Sequence, residues 1–157
     1  MFTGALAASY YGTPRTTMDI DIIIALTEQY TVKLVEALNK ANLEASESMF
    51  QSVKETGYNI VSLKDTRTPY TVDLIFLQGP LDKIACTIMG KPTYIQAPEK
   101  LILSKLRMIK ATQDPEKSAK DKNDVIAILR YTEVDKNKII YEAEKEKTIE
   151  ILQELLP

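Results

Sequence analysis

The first strongly apolar run is Met18 to Leu26. Asp19 and Asp21 alternate with Ile20 and Ile22 before Ile23 and Ile24 continue it, which predicts a buried strand. Ahead of it, Gly4 to Tyr11 carries Ala5, Leu6, Ala7 and Ala8 and predicts a short helix, ended by Gly12-Thr13-Pro14. Thr31 to Asn42 places Leu34, Leu38 and Ala41 at helical spacing with Val35 beside them, an amphipathic helix. A second short helix is expected over Glu47 to Glu55. Strands follow at Tyr58 to Leu63 and Thr71 to Leu77, joined as a hairpin through Asp65-Thr66-Arg67-Thr68-Pro69. Short strands recur at Ala85 to Met89 and Thr93 to Gln96, split by Gly90-Lys91-Pro92.

From Pro98 the period becomes helical, with Pro98 at a first helical position and Glu99 in the first turn. Thr112 to Lys117 interrupts it at Asp114-Pro115, and helices are expected from Ser118 to Tyr131 and from Asp135 to the end. The order of elements predicts an α+β fold: a mixed sheet with flanking helices over residues 1–97, and a helical part, residues 98–157, packed on the same domain. A strand that would ordinarily precede Gly4 is expected to be missing.

The strand at Asp19 carries chemistry. Positions i and i+2 share a face, so Asp19 and Asp21 point the same way, with Cα atoms about 6–7 Å apart. Ile20, Ile22 and Ile24 occupy the opposite face and set the register. Two ionised acids side by side repel, and a divalent cation relieves that repulsion; a strand end that merely reaches water is the alternative. Asp73, inside Tyr70-Thr71-Val72-Asp73-Leu74-Ile75-Phe76, shifts the balance towards a metal site. Aspartate is disfavoured in strands and costly to bury unpaired. A salt bridge to a nearby cation is the other reading of Asp73. Gly4 can let a backbone approach a phosphate, and Arg15 can fork onto one; a turn glycine and a solvated arginine are the plainer readings.

In the first long helix, Leu101, Ile102, Leu106, Met108 and Ile109 form an apolar arc that contains Lys105 and excludes Lys100, Arg107 and Lys110. A lysine on an apolar face needs a partner or a cleft. Phosphate contact and a pairing with Asp124 on the next helix both answer that need. Asp121 projects within that next helix's apolar arc and Asp124 lies at its edge; Asp121 can also serve the helix N-terminus.

Composition narrows the chemistry. The chain is 157 residues, 45% hydrophobic and 27% charged, with a net charge of -2, a globular composition without a basic footprint for nucleic acid. It has no histidine, which removes a Ser-His-Asp triad and histidine-ligated zinc and leaves carboxylate oxygens for magnesium, manganese or calcium. Its one cysteine, Cys86, is expected to be a buried inert thiol, and a reducing cytoplasm without membrane insertion suits the whole.

Taken together, Gly4-Ala5-Leu6-Ala7 through Gly12-Thr13-Pro14-Arg15-Thr16-Thr17-Met18-Asp19-Ile20-Asp21 resembles the opening signature of the DNA polymerase beta-like nucleotidyltransferase superfamily. Asp73 resembles its third acid. Lys105-Leu106-Arg107 and Asp121-Lys122-Asn123-Asp124 match the helical lysine and Asp-x-x-Asp motifs of the small toxin-like branch related to AbiEii. The resemblance implies Mg2+ or Mn2+ held by Asp19, Asp21 and Asp73. It also implies a nucleoside triphosphate contacted by Gly4, Ala5, Arg15 and Lys105, and support from Asp121 and Asp124. Transfer would go to a hydroxyl of a protein, an RNA end or a small molecule, with two metals about 4 Å apart. An antitoxin or a second copy of the chain is the expected partner. Ala5 stands where the signature has glycine or serine and has no hydroxyl for a phosphate. A non-catalytic nucleotide-binding or toxin–antitoxin partner domain with the same fold is the alternative.

Overall fold

The computed structural model describes residues 1–25, 28–56 and 59–156; Leu26, Tyr58 and Pro157, at the ends of expected elements, lie outside them. The elements are α1 (Gly4–Tyr11), β1 (Asp19–Ile24), a 3-10 turn (Glu28–Tyr30), α2 (Thr31–Lys40), α3 (Glu47–Thr56), β2 (Ile60–Lys64) and β3 (Thr71–Phe76). Then come β4 (Lys83–Ile88), β5 (Lys91–Gln96), α4 (Pro98–Ala111), α5 (Pro115–Tyr131), α6 (Lys136–Lys145) and α7 (Ile149–Leu155). The fold is α+β, as the order of patterns predicts.

Three strands form one sheet in the order β1-β3-β2, with β1 parallel to β3 and β2 antiparallel to it. The β2–β3 hairpin turns where expected. Asp65 closes it, accepting from the Arg67 backbone N–H at 2.8 Å and from the Thr68 hydroxyl at 2.7 Å. One sheet face is apolar: Ile20, Ile22 and Ile24 join Val61, Leu63, Val72 and Leu74, and Leu34, Val35, Leu38 and Phe50 of α2 and α3 cover them. This packing explains why the register is fixed, since a one-residue slip would bury the acids.

A second core lies among the helices. Ala7 and Ala8 of α1, Ile95 of β5, and Leu101, Ile102, Leu106, Val125, Ile128, Ile139 and Leu152 of the C-terminal helices close it. Residues Met1–Thr3 stitch the two parts together. Phe2 donates to the Tyr94 carbonyl and accepts from Gln96, while Thr3 donates to the Asp21 carbonyl and the Ile23 N–H to Met1, each at 2.8–2.9 Å. The strand expected to be missing before Gly4 is thus represented by this short extended segment, bridged to β1 on one side and β5 on the other.

Several boundaries differ from the sequence reading, and four of them have an evident local reason. Helix α2 stops at Lys40 because Asn42 takes a left-handed φ of 64°. The β4–β5 turn is only Met89-Gly90, both at positive φ (49° and 74°), as a two-residue hairpin requires, so Lys91 and Pro92 belong to β5. Helix α5 begins at Pro115 rather than Ser118, because Asp114 caps it by accepting from the N–H groups of Glu116 and Lys117. The last helix is two, α6 and α7, broken at Lys147 (φ 56°) and the buried Thr148. Two burial expectations also change: Met108 is exposed on α4 while Leu103 is buried, and Cys86 is half-buried.

Helix α1 sits against α5 so closely that a Cβ on Gly12 would lie 2.8 Å from the Ala127 Cβ. Gly12→Ala should therefore force the helices apart and cost about 1–3 kcal/mol in urea unfolding. Adding Ala127→Gly should recover part of that loss. Equal stability of the single variant and the parent would show that the contact does not hold α1 in place.

Candidate functional site

The pairing of β1 with β3 aligns Asp21 with Asp73 and Asp19 with Thr71. All three acids therefore stand on the face opposite the apolar layer. The two strands lie about 4.8 Å apart, so Asp21 and Asp73 are immediate neighbours. Thr71, which sequence reasoning did not single out, donates its hydroxyl to Asp19 at 2.6 Å. The only signal for it is cross-strand register, which a single strand does not reveal.

Asp21 presses against the start of α1. Gly4 has φ +60°, and a side chain there would overlap the Asp21 carboxylate. That carboxylate accepts from the Ala5 backbone N–H. Glycine at position 4 is thus required twice, by backbone conformation and by the acid's close approach. Burial, then Asp73, then Asp19 hold the Asp21 carboxyl above its ordinary range, with Lys105 and the Ala5 N–H acting the other way.

The helical residues form an ion network beside these acids. Asp124 is buried at 5% exposure, and its two oxygens accept from Arg15 Nε at 2.9 Å and Nη2 at 3.0 Å. Lys105, equally buried, reaches Asp124 and Asp121, each at 2.7 Å. The pairing of Lys105 with Asp124 that sequence reading allowed is present. The order of burial is not as expected, since Asp124 lies deeper than Asp121. Nor does Asp121 serve the helix N-terminus, which Asp114 caps. Arg15 forks onto a carboxylate, and its guanidinium is held protonated most strongly by that hydrogen bond.

The expected residues thus fall into two adjoining groups: Gly4, Ala5, Asp19, Asp21 and Asp73 at the sheet face, and Arg15, Lys105, Asp121 and Asp124 at the helices. Lys105 and Arg15 both act electrostatically on or with Asp21, which joins the groups. Among the described residues, no group of three or more His, Cys, Asp or Glu side chains is placed to hold a metal ion by itself. No described helix is long and apolar enough to cross a membrane.

Residues 1–154 match the model of the family described as nucleotidyl transferase AbiEii toxin, type IV TA system. No curated protein matches the chain. The fold is similar to the crystal structure of an antigenic nucleotidyltransferase-like protein from Paracoccidioides brasiliensis. The TM-score is 0.57 at 17% identity, over 99% of this chain and 84% of that one.

Two outcomes follow from the electrostatics. Asp124→Leu should cost about 3–5 kcal/mol, because it removes the acid that pairs with Arg15 and one of the two acids that pair with the buried Lys105. Lys105→Met should cost less, since Asp124 keeps both Arg15 contacts; urea unfolding of the two variants measures the order. Asp21 holds its proton to higher pH in the folded than in the unfolded state, so ionising it weakens the fold as pH rises through and above the ordinary carboxylate range. The melting advantage of Asp21→Asn over the parent should therefore grow from about pH 3.5 to about pH 7. A constant difference over that range would contradict the crowding of the three acids.

Proposed function

The chain belongs to the AbiEii nucleotidyl transferase toxin family of type IV toxin–antitoxin systems, and on that premise we propose that Asp19, Asp21 and Asp73 carry transfer of a nucleotidyl group from a nucleoside triphosphate to a hydroxyl. The register that sets Asp21 beside Asp73 and Asp19 beside Thr71 carries this reading. It concentrates three carboxylates on one face without a cation bound to any of them within salt-bridge distance among the described residues.

The donor set fits a hard divalent cation, Mg2+ or Mn2+. The raised Asp21 carboxyl is the sign of crowding that such an ion offsets. Magnesium needs no full protein cage, since it takes one or two carboxylates and completes its shell with phosphate and water. Bound there, the ion would neutralise phosphate charge and make the α-phosphate a better electrophile.

The chain's own groups would do the rest. Asp21 is oriented by the Ala5 N–H and Asp19 by the Thr71 hydroxyl. Asp73 would accept the proton of the acceptor hydroxyl. The acceptor oxygen forms a bond to the α-phosphorus as the α–β bridging bond breaks, and pyrophosphate leaves. Gly4 and Ala5, expected to contact phosphate, would act instead through Asp21, whose carboxylate occupies the space beside them, and Arg15 and Lys105 would offset phosphate charge. The acceptor is a protein hydroxyl, an RNA end or a small molecule; the regulatory partner is an antitoxin, or a second copy of the chain.

One observation favours a second reading. Lys105 and one edge of Arg15 are already engaged by Asp121 and Asp124, so the charge they would bring to a triphosphate is largely offset. In that reading the chain is a non-catalytic nucleotide-binding or antitoxin-partner domain.

Labelled nucleoside triphosphates with Mg2+ or Mn2+, and cell extract as acceptor, separate the two. Label should pass to a product with the parent chain, and Asp19→Asn and Asp73→Asn should each lower the rate by at least about a hundredfold. Metal alone should raise the melting temperature of the parent, by roughly 2.7 kcal/mol of stability at about 100 times Kd, and not that of Asp21→Asn. Binding without transfer would support the second reading; equal metal shifts in both proteins would move the ion away from these acids.

A further inference from the structure

A groove of about 370 Å³ runs between the loop after α1 and the outer face of α5. Thr13 and Arg15 line it from the loop; Asn123, Asp124, Arg130 and Tyr131 line it from the helix. Arg15 thus borders both the carboxylate network and this groove.

We propose that the groove is a phosphate-binding subsite, in which Arg130 and the unused edge of Arg15 hold one anion with the Thr13 hydroxyl and the Asn123 amide. The charge balance supports an anion. Asp124 is the acid in the lining, and both its oxygens are taken, Oδ1 by Arg15 and Oδ2 by Arg15 and Lys105. It therefore presents little free charge to repel a phosphate. Arg15 uses Nε and Nη2 on Asp124, which leaves its Nη1 hydrogens and one on Nη2 without a partner among the described residues. The Arg15 side chain is 32% exposed and lines the groove.

Arg130 is the second cation. It is exposed, lies about two turns along α5 from Asn123, and its side chain has no ion pair or hydrogen bond among the described residues. Of the lysines on α5, Lys120 pairs with Glu116 and Lys122 with Glu154, whereas Lys117, like Arg130, has no side-chain partner among the described residues but does not line the groove. Two guanidiniums with a hydroxyl and an amide in one concave space match the planar, multidentate recognition of phosphate. The Asp124 anchor also limits the motion of Arg15, so little side-chain entropy is lost when an anion arrives.

This subsite goes beyond the proposed transfer reaction and survives its failure, since holding phosphate needs no catalysis. Its phosphate could belong to the donor's triphosphate tail or to a phosphate-bearing acceptor, and the shared chemistry is the same.

The test is amide NMR of the full chain titrated with inorganic pyrophosphate at low ionic strength. The amides of Asn123, Ala127 and Arg130 should shift and saturate, and added salt should weaken the binding. Arg130→Gln should raise Kd roughly tenfold with an unchanged melting temperature, and Arg130→Lys should raise it less. Unmoved groove amides, or an unchanged Kd in Arg130→Gln, would overturn the proposal. A metal-bound non-hydrolysable nucleoside triphosphate and a 5′-phosphorylated dinucleotide then identify the source. Groove shifts with the first alone assign it to the donor, and with the second alone to an acceptor. Groove binding in a protein that transfers no nucleotide would leave the subsite standing and remove the catalytic reading alone.

Discussion

The buried carboxylate of Asp124 is the constraint around which the helical side of the molecule is arranged. An ionised acid at this depth is costly unless both oxygens are paired, and here they are paired from two directions. Lys105 comes from α4, and Arg15 comes from the loop that feeds β1. The same carboxylate therefore ties α4, α5 and the lead-in to the acidic strand at one point. Replacing the pair by apolar groups would satisfy packing equally well but would lose this fixed geometry, because dispersion contacts have no direction.

That arrangement has a consequence for the sheet face. Asp19, Asp21 and Asp73 stand together while the nearest cations are committed to Asp121 and Asp124. Negative charge is left in excess on one side of the network, and Asp21, enclosed by its contacts with Gly4 and Ala5, bears the cost as a raised carboxyl. Two unit charges about 5 Å apart repel by roughly 3 kcal/mol at an effective dielectric of 20. A fold retains such crowding more readily where a cation joins it, and this is why the acids and not the pockets identify the candidate site.

The way the two cores are joined matters as much. Phe2 and Thr3 hydrogen-bond to β1 on one side and β5 on the other, so the acidic sheet and the helical core are continuous through backbone pairing. Helix α1 then starts at the edge of the acidic face and ends against α5 at Gly12 and Ala127. One short helix fixes both the position of Asp21 and the course of the loop carrying Arg15.

Much of this was legible in the residues. Alternation on either side of Asp19 and Asp21 sets their common face, and the isoleucines between them decide which face is buried, because period and polarity are local properties of a strand. The hairpin at Asp65 and the apolar arc around Lys105 are local in the same sense. What only the tertiary structure decided are the partners. Sequence spacing cannot say that Asp73 aligns with Asp21, that Thr71 serves Asp19, or that Arg15 crosses to Asp124 rather than lying free in solvent. Helix ends were missed where a single cap or a left-handed residue, Asp114 or Lys147, overrode the periodic pattern. Periodicity reports which side of an element avoids water; which charge it meets there depends on residues more than 50 positions away in the Asp19–Thr71 contact and more than 100 in Arg15–Asp124, and that choice is made only when the whole chain closes.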